Sequence, residues 1–568
     1  MVITQEKHSA ATPKHTHSSL ARATQIALVL AHHELWSLVD VLDLGRFVPV
    51  HLQRSAPSHQ DRPGLHPEPE HLRMALEELG PTFMKLGQIL SARTDLLPPD
   101  YQHEFAKLQD AAPTIPFESV RETITAELGQ PLEQAFATFD ATPLAAASIG
   151  QAHLATLHDG TAVVVKVRRP GAVEQVDEDL KLLHRLASVA SHRWELARQY
   201  DVVGLVQEFD QTLRAELDYL HEERNAQRFA RNFAAESEVQ IPHVFGELST
   251  SRVLILERLH GMKVTDLAAL DAAGIDRADL SKRAAQIFLK MVFEDGFFHA
   301  DLHPGNLFIE EQGRIGLIDF GMVGTVDADT REGLGLMLFG VAKHDTERVV
   351  DAFLELGVTQ QPVDRAALRR DLEHSLMPYY DQPLGAIALG PLLAEVLGIV
   401  RRHRLALPSN LSLLLKTMTM CEGLGAELDP SFSFAEVLAP YAKQLMLQEN
   451  SPYAWTKRLG KAGVELAWLA TDLPQRLRRL LDELDRGVLK IDVQPTGLDP
   501  VFHRVERIAN RMVLGVVVAA FIIAMAILMS VYHPAGSALG QVLFSIGFVL
   551  AVVLALYLVW RIFRSGRY

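Results

Sequence analysis

Apolar and polar positions in the middle of the chain follow the periods of both helices and strands. Residues 81–93 carry apolar side chains at helical spacing behind a proline, which predicts a helix that begins at Pro81. Two runs rich in β-branched residues, 151–157 and 161–167, flank an Asp-Gly pair and predict a β-hairpin. The pattern therefore indicates an α+β fold in which a helical region precedes a sheet.

Helical periodicity continues beyond the hairpin over 172–232 with one break, and the second of the two predicted helices carries Glu216 and Glu222. A short apolar strand is predicted over 253–256. The segment that begins with Glu257 follows this strand directly. We expect that segment to cross between two lobes.

The two ends of the chain differ in polarity. Near the C-terminus, 512–532 and 542–560 contain no charged residue, and each is long and apolar enough to cross a ~30 Å hydrocarbon layer as a helix. Arginines flank this pair on both sides, which predicts that both flanks are cytosolic. The pattern predicts a transmembrane helical hairpin, and two buried core helices are the alternative interpretation.

The first twenty residues contain neither the apolar core of a signal peptide nor the Arg-rich amphipathic start of a transit peptide. His8, His15 and His17 are candidate metal ligands, but no cysteine or carboxylate cluster accompanies them, so a solvated tail is the favoured interpretation. Prolines and a glycine over 51–68 predict a linker. A folded region is therefore expected from about His71.

Composition narrows the class of protein. The chain has 568 residues, which allows three or four folded units at ~100–200 residues per domain. Its content of 48% hydrophobic and 22% charged residues is typical of a chain that buries a sizeable core. The net charge of −15 argues against a nucleic-acid partner. Cys421 is the single cysteine, so no internal disulfide forms, which is consistent with a reducing compartment.

Lys166 is a lone cation on an otherwise small and apolar face of the second hairpin strand. Burial of a single charge is costly, so an acidic partner is expected, and Glu216 is the best candidate. The segment before the hairpin, 144–151, consists mainly of small residues and lets the backbone approach a ligand closely.

The most informative pattern lies further along the chain. Asp301 and Asn306 are five residues apart, and Asp319, in an Asp-Phe-Gly triplet, follows thirteen residues later. This arrangement is typical of a kinase catalytic loop and its magnesium-binding segment. Asn306 and Asp319 offer the hard oxygen ligands that Mg²⁺ prefers, and Asp301 would accept or orient the proton of an attacking hydroxyl or water.

Several motifs together carry a resemblance to a known family. They are Lys85-Leu86-Gly87-Gln88, the alanine-rich run 145–151, Glu216-Leu217-Asp218, the loop 301–306, Asp319-Phe320-Gly321 and Leu428-Asp429-Pro430. In this combination the chain resembles, from about residue 71 to 430, the UbiB-type atypical protein-kinase-like proteins linked to ubiquinone biosynthesis. Spacing alone favours an ordinary solvated pair for Lys85 and Gln88, whereas the resemblance implies that both side chains point at the nucleotide pocket.

The resemblance implies an α+β, two-lobed protein-kinase-like fold with an N-terminal helical extension and a C-terminal transmembrane hairpin. The implied divisions are a helical or disordered segment with a linker over 1–70, the extension over 71–130, an N-lobe over 131–260, a C-lobe over 261–500 and two spans within 512–560. In this family the extension lies where a protein substrate would dock, so protein kinase activity in trans is not expected.

The resemblance also implies roles for individual residues. Lys166 would contact phosphates with Glu216 as its ion-pair partner, Asp301 would be the catalytic aspartate, and Asn306 and Asp319 would ligate the metal. The implied nucleotide-binding set comprises Lys85, Gln88, Ala145, Ala146, Ala147, Ser148, Lys166, Glu222 and Glu257. The implied ligands are ATP or ADP with Mg²⁺.

Three functions are compatible with these patterns. The first is an ATPase or small-molecule kinase at the bacterial cytoplasmic membrane that supports quinone-lipid biosynthesis, with membrane lipids, a quinone-type intermediate and biosynthetic enzymes as partners and a homodimer as a possible state. The second is a non-catalytic, nucleotide-sensing scaffold. The third is a small-molecule kinase of the aminoglycoside-phosphotransferase type, which shares the catalytic-loop spacing.

Overall fold

The computed structural model describes residues 19–55, 68–93, 95–108, 114–357, 363–379, 382, 388–405 and 407–449. The chain divides into two units, residues 1–458 and 459–568, and the described residues all belong to the first. Among them, no helix combines the length and the apolarity that a membrane crossing requires. The hairpin predicted over 512–560 lies outside the described residues.

The N-terminal part is helical, and its folded region begins nearer the N-terminus than expected. Its helices are α1 (Ser19–His32), α2 (Trp36–Val41), α3 (Val50–Ser55), α4 (Pro69–Leu79), α5 (Pro81–Ala92) and α6 (Pro99–Phe105). In α1, Ile26, Ala27 and Leu30 recur at helical spacing and are buried in one cluster with residues of α4 and of a later helix. The boundary expected near His71 was therefore wrong, whereas α5 confirms the predicted helix.

The N-lobe is built on an antiparallel sheet. After α7 (Phe117–Leu128) and α8 (Leu132–Ala135) come β1 (Thr138–Phe139), β2 (Ala145–Ala146), β3 (Gly150–Thr156) and β4 (Ala162–Arg168). The predicted hairpin is confirmed, since β3 and β4 pair with Ala152 opposite Lys166. Val163, Val165 and Val167 are buried on one face of β4, which places Lys166 on the other.

Four helices follow the hairpin where two were predicted. They are α9 (Ala172–Arg193), α10 (Glu195–Gln199), α11 (Val202–Glu216) and α12 (Tyr219–Asn232). The side chain of Asp218 accepts a hydrogen bond from the Leu220 amide at 3.1 Å and caps α12. Glu216 and Glu222 therefore lie on different helices. The prediction of one helix for both was wrong because the cap between them was missed.

The remaining strands and helices form the C-lobe and complete the sheets. They are β5 (Val239–Gln240), β6 (Val253–Glu257), β7 (Met262–Lys263), α13 (Leu267–Ala272), α14 (Arg277–Phe293), β8 (Phe297–His299), β9 (Leu307–Ile309), β10 (Ile315–Leu317), β11 (Val323–Thr325), α15 (Ala328–Ala342), α16 (Thr346–Leu356), α17 (Arg365–Leu376), α18 (Leu389–Arg402), α19 (Ser409–Leu428) and α20 (Phe434–Glu449). The N-lobe sheet has the order β1-β3-β4-β6, with β2 on β3.

Two small sheets in the C-lobe position the residues of the predicted site. One has the order β5-β10-β9-β7, and the other pairs β8 with β11 in antiparallel fashion. The predicted catalytic loop joins β8 to β9, and the Asp-Phe-Gly triplet joins β10 to β11. Phe288, Phe298 and Phe320 are fully buried beneath these connections. Both loops are therefore anchored to one hydrophobic core.

Candidate functional site

Lys166 is the centre of an ion cluster between the two lobes. Its ammonium Nζ contacts the Glu222 carboxylate and lies 3.2 Å from Oδ1 of Asp319. The lysine and Glu222 are largely buried, whereas half of the Asp319 side chain is exposed. A cation from the N-lobe sheet is thus held by one carboxylate of α12 and one of the Asp-Phe-Gly segment.

Glu222, and not Glu216, is the ion-pair partner of Lys166. Glu222 also accepts a hydrogen bond from the Phe320 amide at 3.3 Å, so it joins the lysine to the Asp-Phe-Gly segment. The predicted Lys166–Glu216 pair was wrong because the helix break at Asp218 puts Glu216 on α11. There the carboxylate of Glu216 lies 3.5 Å from the ammonium of Lys85.

The charges in this cluster shift one another's proton affinity. Burial alone would lower the pKa of Lys166, but the charges of Asp319 and Glu222 outweigh it and hold that pKa above its ordinary value. Burial raises the pKa of Glu222, although the nearby Lys166 opposes the shift. The ammonium of Lys166 holds the pKa of Asp319 well below its usual range. At neutral pH the cleft therefore contains a protonated lysine beside an ionised Asp319.

The predicted catalytic loop is held by a buried histidine. Nε2 of His299 donates to the Ile318 carbonyl at 3.2 Å, and its Nδ1 accepts from the Asp301 amide at 3.2 Å. Only a neutral imidazole makes both bonds, and burial lowers the pKa of His299 accordingly. His299 thus ties the predicted catalytic loop to the residue that precedes Asp319.

Asp301 and Asn306 lie together at the base of the cleft. The side-chain amide Nδ2 of Asn306 donates to the Asp301 carbonyl at 3.0 Å, which leaves its oxygen Oδ1 as the remaining donor atom for a metal. The Asn306 carbonyl accepts from the Ile318 amide at 3.1 Å. The Asp301 carboxylate is partly exposed and lies 3.9 Å from the ammonium of Lys416 on α19.

Asp319 has an uncommon backbone conformation. Its φ angle of 61° lies in the left-handed region, which a non-glycine residue adopts rarely and at a cost in energy. Such conformations concentrate at functional sites, because the surrounding structure must hold them in place. The hydrogen bond from the Ile318 amide to the Asn306 carbonyl joins the segments that carry Asn306 and Asp319, and their side chains offer two hard oxygen donors of the kind that Mg²⁺ prefers.

The alanine-rich segment forms an edge of the N-lobe sheet. Ala145 and Ala146 make up β2, and the Ala147 amide donates to the Gly150 carbonyl at 2.9 Å. A Cβ at Gly150 would lie 2.2 Å from the Tyr219 hydroxyl, so only glycine fits here. The Ser148 hydroxyl is buried and has no hydrogen-bond partner in the described part of the chain.

The helical extension reaches the same cleft through Lys85. Besides its contact with Glu216, its positive charge contributes to the low pKa of Asp319. The side chain of Gln88, also on α5, donates to the Leu108 carbonyl at 3.1 Å. Glu257 lies at the end of β6, where its carboxylate accepts from the His243 amide at 3.0 Å.

Sequence reasoning missed a buried ion pair that fastens the extension. Arg93 and Asp95 make two hydrogen bonds, Nε to Oδ1 at 2.9 Å and Nη2 to Oδ2 at 2.8 Å. Asp95 also accepts from the Ser412 hydroxyl at 3.1 Å, and Arg93 lies 3.4 Å from Glu208 of α11. The pair therefore joins the extension to both α11 and α19. The available signal in the sequence was the pair of opposite charges, Arg93 and Asp95, directly after the end of α5.

The fold and the cleft define a member of the kinase-like superfamily. The model of the ABC1 atypical kinase-like domain matches residues 107–353, that of the UbiB helical domain matches 372–433, and that of the ABC1/UbiB kinase-like C-terminal domain matches 496–564. The chain belongs to the ABC1/UbiB family of atypical kinase-like proteins. The resemblance inferred from its motifs is thereby confirmed.

Similar proteins occur in several organisms. A protein of Synechocystis, named only as uncharacterized, is 37% identical over 437 residues, which are 76% of this chain and 75% of that protein. The probable protein kinase UbiB of Xylella fastidiosa is 34% identical over 88% of this chain and 91% of its own length. Rv3197 of Mycobacterium tuberculosis, solved with erythromycin, is 25% identical, with a TM-score of 0.43 over 64% of this chain and 92% of that chain.

Proposed function

We propose that this chain is a membrane-anchored atypical kinase or ATPase that binds ATP or ADP with Mg²⁺ and supports the biosynthesis of a quinone lipid. The observation that carries the proposal is the cluster of Lys166, Glu222 and Asp319 between the two lobes. Phosphoryl transfer requires positioning and charge neutralisation more than covalent help, and this cluster supplies both kinds of charge.

Each residue of the cleft has a task in this proposal. Asn306 and Asp319 hold Mg²⁺, which neutralises charge on the phosphates when it is bound. Lys166 binds phosphate oxygens while Glu222 keeps its ammonium in place. Asp301 orients the attacking hydroxyl or water and accepts its proton. The buried hydroxyl of Ser148 offers an additional hydrogen bond beside the alanine-rich segment.

The acceptor of the phosphoryl group is water or a small lipid-soluble molecule in this proposal. Lys85 brings the helical extension to the cleft, close enough for its charge to act on Asp319. An extension in this position competes with a docking protein substrate. We therefore do not expect protein kinase activity in trans.

Membrane anchoring is the second part of the proposal, and the sequence of the C-terminal region supports it. The uncharged segments 512–532 and 542–560 lie within the region that matches the kinase-like C-terminal domain of the family. Arginines outside both segments favour a kinase-like domain on the cytosolic side. An anchored cleft suits a substrate that is dissolved in lipid.

The test uses the full-length protein in lipid nanodiscs. We expect Mg²⁺-dependent ATP binding and phosphate release, with release at least 10²-fold slower in Asp319→Asn, because loss of one preorganised charge costs about that much. The exposed Glu311→Gln variant, on the turn between β9 and β10, is the matched control and keeps wild-type turnover. Equal turnover in Asp319→Asn and the control would contradict the proposal.

A cellular experiment separates catalysis from a scaffold role. In a strain that lacks the native gene, we expect wild-type protein to restore quinone-lipid levels and Asp301→Asn to fail, although the variant still binds nucleotide. Restoration by Asp301→Asn would favour the nucleotide-sensing scaffold. Unchanged quinones in the deletion strain would remove the quinone part of the proposal.

A further inference from the structure

The helices of the C-lobe enclose a cavity of about 140 Å³. It lies among α15, α16, α17, α18, α19 and α20, and every side chain that lines it is apolar. Representative lining residues, one from each helix in turn, are Leu338, Phe353, Leu372, Leu393, Leu411 and Leu438. The cavity is separate from the cleft that contains Lys166 and Asp319, none of whose residues line it.

A cavity of this size is unusual in a protein interior. Interiors pack as densely as organic crystals, and voids larger than one water molecule are few. An engineered apolar cavity of about 150 Å³ in another protein stays dry and binds benzene, so about six carbon atoms fit into a space of this volume. The cavity described here has matching size and chemistry, which suits a hydrocarbon ligand.

The chemistry of the lining decides which apolar ligand fits. An extended peptide segment would bring backbone N–H and C=O groups that have no partner within the segment, and each needs a hydrogen-bond partner when it is buried. The lining offers no polar side chain to such a segment. A hydrocarbon chain brings no polar group, so it loses no hydrogen bond to water when it enters the cavity.

We propose that this cavity is a binding site for the hydrocarbon tail of a lipid, an acyl or polyisoprenoid chain whose polar head stays outside. About one isoprene unit, or a similar length of acyl chain, would be enclosed. The proposal goes beyond the phosphoryl chemistry of the cleft and does not depend on it.

Helix α19 connects the cavity to the catalytic loop. Leu411, Leu415 and Met418 of this helix line the cavity. On the same helix, the Thr417 hydroxyl donates to the Ala300 carbonyl at 3.2 Å, and Lys416 lies 3.9 Å from Asp301. A bound tail would therefore rest on a helix that contacts the catalytic loop directly.

The test is photoaffinity labelling of the full-length protein in nanodiscs. The probe is a sixteen-carbon fatty acid with a diazirine at the end of its chain, and labelled peptides are identified by mass spectrometry. We expect labels on peptides from α15, α18 and α19, and we expect an excess of unlabelled palmitate to remove them. Both results come from the wild-type protein, so they do not depend on how any variant folds.

Cavity-filling variants make the assignment specific. Ala435→Phe and Ala442→Phe place a ring into the cavity from α20, and we expect each to reduce labelling at least tenfold. Met377→Phe, at an exposed position after α17, is the matched control and keeps wild-type labelling. Retained ATP binding shows that the filled variants are folded.

Four outcomes would overturn the proposal. Three of them are labels spread over the protein surface, labels that palmitate does not displace, and equal labelling of the filled and control variants. The fourth is the absence of any label in the C-lobe, as expected if an apolar segment of the chain itself fills the cavity. The same labelling in Asp319→Asn separates this proposal from the proposed phosphoryl transfer, since we expect that variant to turn over at least 10²-fold more slowly and Asp319 does not line the cavity.

Discussion

Replacing Asp95 with asparagine removes a negative charge from the junction between the extension and the C-lobe. Asp95 is fully buried, and its two oxygens accept hydrogen bonds from Arg93 at 2.9 and 2.8 Å. The Ser412 hydroxyl and the Leu407 amide lie at 3.1 and 3.4 Å. In the variant, the guanidinium of Arg93 stays buried and keeps Glu208 as its nearest carboxylate.

The expected loss of stability in Asp95→Asn follows from the geometry of the Arg93–Asp95 pair. At 2.8 Å and an effective dielectric constant near 20, the Arg93–Asp95 attraction is about 6 kcal/mol before desolvation is subtracted. Loss of one partner from a buried pair costs about 3–5 kcal/mol in free energy of unfolding. Because Glu208 still lies 3.4 Å from Arg93, we expect the lower end of that range, about 3 kcal/mol.

The assay is native-state hydrogen exchange, which reports local opening in a multidomain chain for which two-state unfolding does not hold. A loss of about 3 kcal/mol makes amides of α5 exchange about 10²-fold faster, since each 1.4 kcal/mol is a factor of ten. Asp351→Asn is the matched control, because Asp351 lies 2.6 Å from Arg365 in an exposed pair. We expect its effect to stay below about 1 kcal/mol.

A double variant tests the reasoning further. Arg93→Met combined with Asp95→Leu removes both charges and fills similar volume, so it should recover most of the stability lost in Asp95→Asn. If Asp95→Asn accelerates exchange no more than Asp351→Asn does, the pair does not fasten the extension, and the argument from burial is refuted.

Three further predictions address the cleft and its surroundings. A double-mutant cycle of Lys85→Met and Glu216→Gln should give a coupling of about 1 kcal/mol in the opening free energy of α5 by native-state hydrogen exchange, and additivity of the two would reject their pairing. Gly87→Ala should lower the opening free energy of α5 by about 1–3 kcal/mol in native-state hydrogen exchange, because its Cβ would lie 2.3 Å from the Leu108 side chain. The lowered pKa of His299 means that the unfolded chain binds its proton more readily, so stability should fall as pH drops below about 6.5, and His299→Gln should show a weaker loss between pH 7.5 and 5.5.

Local patterns predicted the elements that carry the cleft. The hairpin of β3 and β4 and the helix α5 follow from periodicity and from turn and proline signals, which act within a few residues. The alternation of valines along β4 also gave the correct face for Lys166. These features could be predicted from the sequence because each depends on residues that are neighbours in the chain.

Pairings between distant segments could not be predicted from the sequence in the same way. Asp319 and Lys166 are 153 residues apart, and the choice among several acidic residues on nearby helices needs the helix boundaries. One missed N-cap, Asp218, was sufficient to assign the wrong glutamate to Lys166. The same limitation applies to α1, whose apolar stripe is short and becomes significant only when its partners in α4 and α9 are known.

The break at Asp218 has a functional consequence, because it gives the two glutamates different lysines. Glu216 ends α11 and faces Lys85 of the extension, whereas Glu222 lies on α12 and contacts Lys166 of the N-lobe sheet. Both lysines act on the charge of Asp319. Two glutamates on either side of the helix junction at Asp218 thus hold two lysines, one from the extension and one from the N-lobe, whose charges both lower the pKa of Asp319. A displacement of the extension would therefore change the electrostatic environment of Asp319.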